Sequence, residues 1–259
     1  MSAAGGGGGG AELTRDAFLG GRVQVWQPAR GYRAGVDAVL LAAACEARPG
    51  QRVLELGCGV GTAALCLAAR VPGLSIVGVE RDPQTATLAR ENAAAAAAPL
   101  DVVEADVTAL PEGVRQSAFD HVILNPPYFR RDRSPPSDHA AREGALGEDT
   151  PLADWLSTAA RRLAPRGRVT LIHRAERLAD VLASLGALGS VQIQPLAPRE
   201  GRPARLVLVR ARKAGRAPLV LLSPLVMHAG PAHLKDGGED YTPALRAVLR
   251  DGAAIPWGP

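Results

Sequence analysis

Cysteine is scarce in this chain. Cys45, Cys58 and Cys66 are the three among 259 residues. That excludes a scaffold built on disulfides. Neither these three nor the five histidines fall at metal-ligand spacing, so no metal is expected. No apolar run approaches the roughly 20 residues of a membrane span. The opening MSAAGGGGGG has neither the basic region nor the apolar core of a signal peptide, so the expectation is a cytoplasmic protein with no membrane partner. Lysine is nearly absent too, Lys213 and Lys235 being the two. The net charge of +4 and the pI of about 9.3 therefore rest on arginine, whose planar fork suits phosphate. A GC-rich genome produces the same arginine and alanine excess, so charge alone assigns no partner.

What is present is ordinary globular material, 47% hydrophobic and 22% charged. The organisation predicted is a glycine-rich disordered tail over 1–11, an N-terminal extension over 12–51, a main domain over 52–230 and a C-terminal tail over 231–259. The tail is poor in apolar residues. From Arg52 onward, short β-branched runs alternate with helical segments. Strands are predicted at 52–56, 75–80, 100–105, 119–124, 168–173, 190–195 and 205–211, and helices at 61–71, 83–98, 151–164 and 175–188. The helix at 83 opens on Asp82-Pro83, a capping residue followed by proline at the first helical position. Alternation of hydrophobic strands with helices implies an α/β fold around a mostly parallel sheet covered on both faces. Too little chain separates the last two strands for a crossover helix, so that pair is expected to be antiparallel.

Two motifs carry chemistry. The first is Glu55-Leu56-Gly57-Cys58-Gly59-Val60-Gly61, at the end of the first predicted strand. Glycines there let the backbone turn sharply and approach a ligand closely. Thr62 stands where a dinucleotide dehydrogenase has its third glycine, which disfavours a nicotinamide enzyme. The second strand ends in Glu80-Arg81, and an acidic residue there can hold ribose hydroxyls. After the third come Asp106 and Val107, where a carboxylate can reach an adenine amino group. The second motif is Asn125-Pro126-Pro127-Tyr128-Phe129, directly after FDHVIL. The Asn125 side-chain oxygen and the Pro126 carbonyl offer two acceptors at one point, which suits the two donors of a planar NH2 group. Tyr128 or Phe129 can stack on the flat group carrying it.

With these residues the chain resembles the class I S-adenosylmethionine (SAM)-dependent methyltransferases that act on amino groups. Within them it resembles most the tRNA1(Val) (adenine(37)-N6)-methyltransferase family. The likeness runs from about Gly31 to Arg250. It includes GYRAGVDAVLLAAA before the glycine loop, Arg142-Glu143 and PLADWLSTAARRLAPRGRVTLIHRAERL after the second motif, and HLKDGGEDYTPALRAVLRDG near the end. The resemblance implies a Rossmann-like seven-stranded sheet with an antiparallel last strand. It implies SAM as cofactor and the anticodon region of a tRNA as partner. Gly57, Cys58, Gly59 and Gly61 would line the amino-acid end of SAM, with Glu55 near its ammonium. Glu80 and Arg81 would serve the ribose, and Asp106 with the Val107 backbone the adenine. Asn125, Pro126, Pro127 and Tyr128 would hold the target adenine, while Arg33 and Asp37 would close over the cofactor. The other reading of that last pair is a surface ion pair four residues apart on a helix.

Weaker features frame these expectations. Arg130, Arg131 and Arg133 open a polar loop beside the second motif, where gripping phosphate and simple solvation weigh evenly. Arg199, Arg202, Arg205, Arg210, Arg212 and Lys213 read as the wet face of a strand. Trp26, Trp155 and Trp257 read as core or tail anchors. The alternatives kept open are a protein-glutamine methyltransferase, a ribosomal RNA guanine-N2 methyltransferase and a non-catalytic SAM- or RNA-binding module. Monomer and homodimer are both open.

Overall fold

The computed structural model describes residues 12–31, 33–128, 150–230 and 240–258. A two-stranded antiparallel hairpin, β1 (Leu13–Phe18) and β2 (Val23–Pro28), precedes helix α1 (Val36–Ala44). Then comes the expected alternation of β3 (Arg52–Leu56), α2 (Thr62–Arg70), β4 (Ser75–Glu80), α3 (Pro83–Ala95), β5 (Leu100–Glu104) and β6 (Phe119–Leu124), with an unexpected short helix, α4 (Glu112–Gln116), between β5 and β6. After the second motif follow α5 (Leu152–Arg162), β7 (Leu163–Arg174), α6 (Leu178–Ala183), β8 (Leu188–Ala197) and β9 (Leu206–Lys213). Two short strands, β10 (Val220–Leu221) and β11 (Leu225–Val226), are followed by helix α7 (Pro243–Arg246) and a π-helical turn at Ala247–Asp251, and a 3-10 turn at Leu19–Gly21 joins β1 to β2.

The sheet order is β10-β8-β9-β7-β6-β3-β4-β5, with β11 also on β8. Its seven long strands are those predicted, and β9 runs antiparallel to both β7 and β8. The two additions, β10 and β11, pair in parallel with the outer edge of β8. Every strand but β9 therefore ends on the same edge. The order reverses between β3 and β6, where an open α/β sheet forms its ligand crevice.

Strand alternation sorts the core into two layers. Val53, Ile76, Ile123 and Leu208 face one side, under α1, α2 and α3. Leu54, Val79, Val122 and Val209 face the other, under α5 and α6. The first layer takes in residues from both ends of the chain, Leu19 and Val25 from the hairpin and Leu245, Ile255 and Trp257 from the tail. Trp257 donates its indole N–H to the carbonyl of Ala44 at 2.7 Å.

Three further details depart from expectation. Helix α3 stops at Ala95 rather than 98, although alanine is the best helix former. The residue before Pro99 is pushed out of the helical region. The chain therefore reverses through Ala97, at φ 46°, with the Ala98 N–H on the Ala93 carbonyl. The helix expected over 175–188 is a 3-10 turn at Ala175–Arg177 followed by α6, and Gly186 at φ 55° turns the chain toward β8. Of the arginines expected on a wet face, Arg202 and Arg205 before β9 are exposed, but Arg210 is not, because β9 lies between β7 and β8 under both apolar layers. Arg210 is buried against the Trp257 ring and paired with Glu46, and Arg199 is buried on Asp240 at 2.5 Å.

Candidate active site at the strand C-terminal edge

The crevice between β3 and β6 brings the two motifs together. After β3 the backbone passes through three left-handed glycines, Gly57 at φ 67°, Gly59 at 54° and Gly61 at 87°. A side chain at Gly57 would strike the Trp155 ring on α5, its Cβ lying 2.8 Å from the nearest ring carbon. Around Gly59 nothing lies within 4 Å of that direction, so a ligand can reach the backbone there. Cys58 is buried, its sulfur filling the space a side chain at Gly78 would need, and burial raises its thiol pKa well above the ordinary value.

Carboxylates brace this loop. Glu80, at the end of β4, accepts from the Gly59 N–H at 3.0 Å and from the Asp82 N–H at 2.9 Å. Glu55 on β3 is 3% exposed and accepts from the Ala64 N–H in the first turn of α2 at 2.9 Å. Burial pushes its carboxyl up to about 8, with Glu80 adding to the rise and the Ala64 bond opposing it. Past β5, Asp106 receives the Thr108 N–H and hydroxyl, both on Oδ1, and these bonds hold its carboxyl below the usual range. Val107 behind it is buried. Arg81 is exposed beside Glu80.

Asn125, Pro126, Pro127 and Tyr128 leave the end of β6. Pro126 is buried, and the other three are half-buried. The Tyr128 hydroxyl donates to Asp37 Oδ2 at 2.5 Å, and its carbonyl accepts from Arg177 at 3.2 Å. Asp37 thus belongs to the second motif's surroundings. Arg33 does not pair with it. It pairs with Asp16 of the hairpin at 2.5 Å and lines a cavity of about 310 Å³ with Gln27, Val39 and Leu249. The ion pair four residues apart fails because Gly35, at φ −135° and ψ −145°, breaks the helix between them. Phe129, Arg130, Arg131 and Arg133 lie outside the described residues.

Sequence reading missed His173, at the end of β7 beside β6. Its ring lies 5.3 Å from that of Tyr128, and the Arg174 guanidinium lies 5.7 Å from the Tyr128 centroid. No motif marks a single buried histidine. Among the described residues, no group of three or more His, Cys, Asp or Glu could hold a metal ion, and no helix is long and apolar enough to cross a membrane.

The donor set fits SAM. An open glycine backbone faces an amino-acid end, carboxylates at the ends of β4 and β5 can accept from a ribose diol and an amino group, and a buried acid at Glu55 can answer an ammonium.

Comparisons agree with this layout. The sequence model of the methyltransferase small domain matches residues 34–185. A tRNA1(Val) (adenine(37)-N6)-methyltransferase of Porphyromonas gingivalis is 34% identical over 181 residues, covering 65% of this chain and 69% of that protein. One of Dickeya chrysanthemi is 30% identical over 230 residues, covering 85% and 87%. Among solved structures, a predicted O-methyltransferase of Agrobacterium tumefaciens has a TM-score of 0.68 at 31% identity, covering 85% of this chain and 98% of its own.

Proposed function

This chain belongs to the tRNA1(Val) (adenine(37)-N6)-methyltransferase family, built on the methyltransferase small domain, and from that premise we propose that it moves a methyl group from SAM to the exocyclic N6 of adenine 37, beside the anticodon of a tRNA. One observation carries the reading. Asn125-Pro126-Pro127-Tyr128 stands at the end of β6, across the sheet's reversal from the glycine loop after β3.

When bound, SAM supplies an electrophilic sulfonium methyl. Gly57, Gly59 and Gly61 would hold its amino-acid end, Glu55 its ammonium, Glu80 its ribose and Asp106 with the Val107 backbone its adenine. Cys58 contributes through its backbone and Arg81 by its place beside Glu80. Asn125 and the Pro126 carbonyl accept the two N–H groups of the target amine. That nitrogen is delocalised into the ring and is not basic. Two acceptors favour a more tetrahedral nitrogen, whose lone pair is then free to attack. A general base is not the first need, because the methylated nitrogen is strongly acidic and releases its surplus proton to water, and positioning with electrostatics supplies the rate. Tyr128 stacks on the base, with Pro127 stiffening the turn. The base must leave its stack to enter, and an anticodon loop presents unstacked bases more cheaply than a duplex. An oxygen nucleophile brings one hydrogen to a site with two acceptors, so the amine is the better match.

The test is methyl transfer from labelled SAM to unmodified tRNA, followed by nucleoside mass spectrometry. N6-methyladenosine is expected. No product in tRNA, or label on another nucleoside, overturns the reading and sends the assay to ribosomal RNA guanine and to protein glutamine.

A further inference from the structure

We propose that His173 is a positioning residue that sets the plane of the Tyr128 ring, and through it the slot for the target base. The inference rests on the reading of Tyr128 as the stacking residue. The groups around Tyr128 constrain different things. Arg177 fixes its carbonyl and Asp37 its hydroxyl. A phenol oxygen lies on the axis about which the ring turns, so the Asp37 bond holds the tip without choosing the plane. The plane decides whether a base can stack, because stacking depends on the relative tilt of two rings. It must be set by whatever packs on the ring.

Among the described residues, His173 and Arg174 lie against it. Arg174 is half-buried and offers a flexible chain whose guanidinium centre lies 5.7 Å from the ring centroid. His173 is 1% exposed and rigid, with its ring tilted 46° to that of Tyr128. Its own orientation is fixed, because Nδ1 accepts from the Arg174 N–H at 2.8 Å. The neutral ring then carries its proton on Nε2, and among the described residues Nε2 has no hydrogen-bond partner. Burial, with Arg177 and Arg174 nearby and Asp180 opposing, lowers its pKa to about 4, so the ring is neutral at working pH. A buried polar ring with one nitrogen unsatisfied is a poor choice for packing alone, since an aliphatic side chain fills the same space at lower cost. A flat, immobile plate against Tyr128 is what imidazole adds here.

The experiment is a double-mutant cycle on tRNA methylation with full-length protein. H173A should lower kcat about ten- to hundred-fold, the scale expected of a misplaced reacting group, while the Kd for SAM, measured by calorimetry, stays within about twofold. H173F, which keeps a flat ring, should recover most of that loss. In the Y128A background, H173A should cost nothing further. Equal losses in both backgrounds, or an H173F as poor as H173A, overturn the proposal. A second arm needs no substrate. With ring-labelled tyrosine, the Tyr128 ring, assigned through Y128F, should flip measurably faster in H173A than in wild type. Unchanged flipping also overturns the proposal. A wild-type enzyme that transfers nothing to tRNA would sink the reading of function instead, and the ring-flip arm would still decide the role of His173.

Discussion

Glu55 gives the site a pH dependence that can be worked through. The perturbation is Glu55→Gln. The carboxamide keeps an oxygen for the Ala64 N–H and loses the ability to ionise. In the wild type the carboxyl rises from 4.5 unfolded to about 8 folded, chiefly because it is buried. Between those values the folded state holds a proton that the unfolded state has released. Stability therefore falls as pH rises through that window, and the loss is complete above about pH 8. At 1.36 kcal/mol per tenfold in proton affinity, the full loss is about 5 kcal/mol, of which about 3 has accrued by pH 7. The Gln variant escapes it. Its Tm should match wild type near pH 4.5 and exceed it by about 6–12 °C at pH 7, taking 2–4 °C per kcal/mol for a chain of this size. Thermal melts across that pH range test this, and parallel wild-type and variant profiles would refute the burial argument. Under the proposed function a bound SAM ammonium would favour the ionised form of Glu55, a response the carboxamide cannot make. The variant's SAM affinity should fall while its stability rises, opposite changes that a merely structural glutamate would not produce.

Gly57→Ala places a methyl group at left-handed φ and against the Trp155 ring. It should cost about 2–4 kcal/mol in chemical denaturation, with Trp155→Leu recovering the steric part; a wild-type midpoint would contradict the geometry. Glu80→Ala should raise the Kd for SAM about 10–100-fold, the value of a hydrogen bond to a charged group, whereas Asn125→Ala should abolish transfer with the SAM Kd nearly unchanged. Calorimetry beside the methyl-transfer assay separates the two, and lost SAM binding in Asn125→Ala would end the division of roles. Trp257→Phe removes the bond to the Ala44 carbonyl and should cost about 1–3 kcal/mol; an unchanged melting temperature would show that the tail's anchor lies elsewhere.

The parts of this molecule that were legible in sequence are those whose physics is local. A strand buried on both faces needs an unbroken apolar run, and RVLEL, SIVGVE and FDHVIL supply it. A tight turn needs glycine, and a two-acceptor site between rigid residues reads as Asn-Pro-Pro. What stayed hidden depends on pairings across the chain. The tail reads as poor in apolar residues because Leu245, Leu249, Ile255 and Trp257 are scattered, yet their partners lie on α1 and the hairpin some 200 residues earlier. Arg33 and Asp37 have the spacing of a helical pair, but a glycine between them starts the helix too late. Arg210 sits in an alternating run that reads as a wet face, and only the insertion of β9 between β7 and β8 reveals its burial. His173 follows the same logic. Its place on a strand predicts burial, and only the adjacency of β7 to β6 makes that burial a contact with Tyr128. Sequence therefore announces the groups that would touch cofactor and base, while the groups that hold those in place are announced by topology.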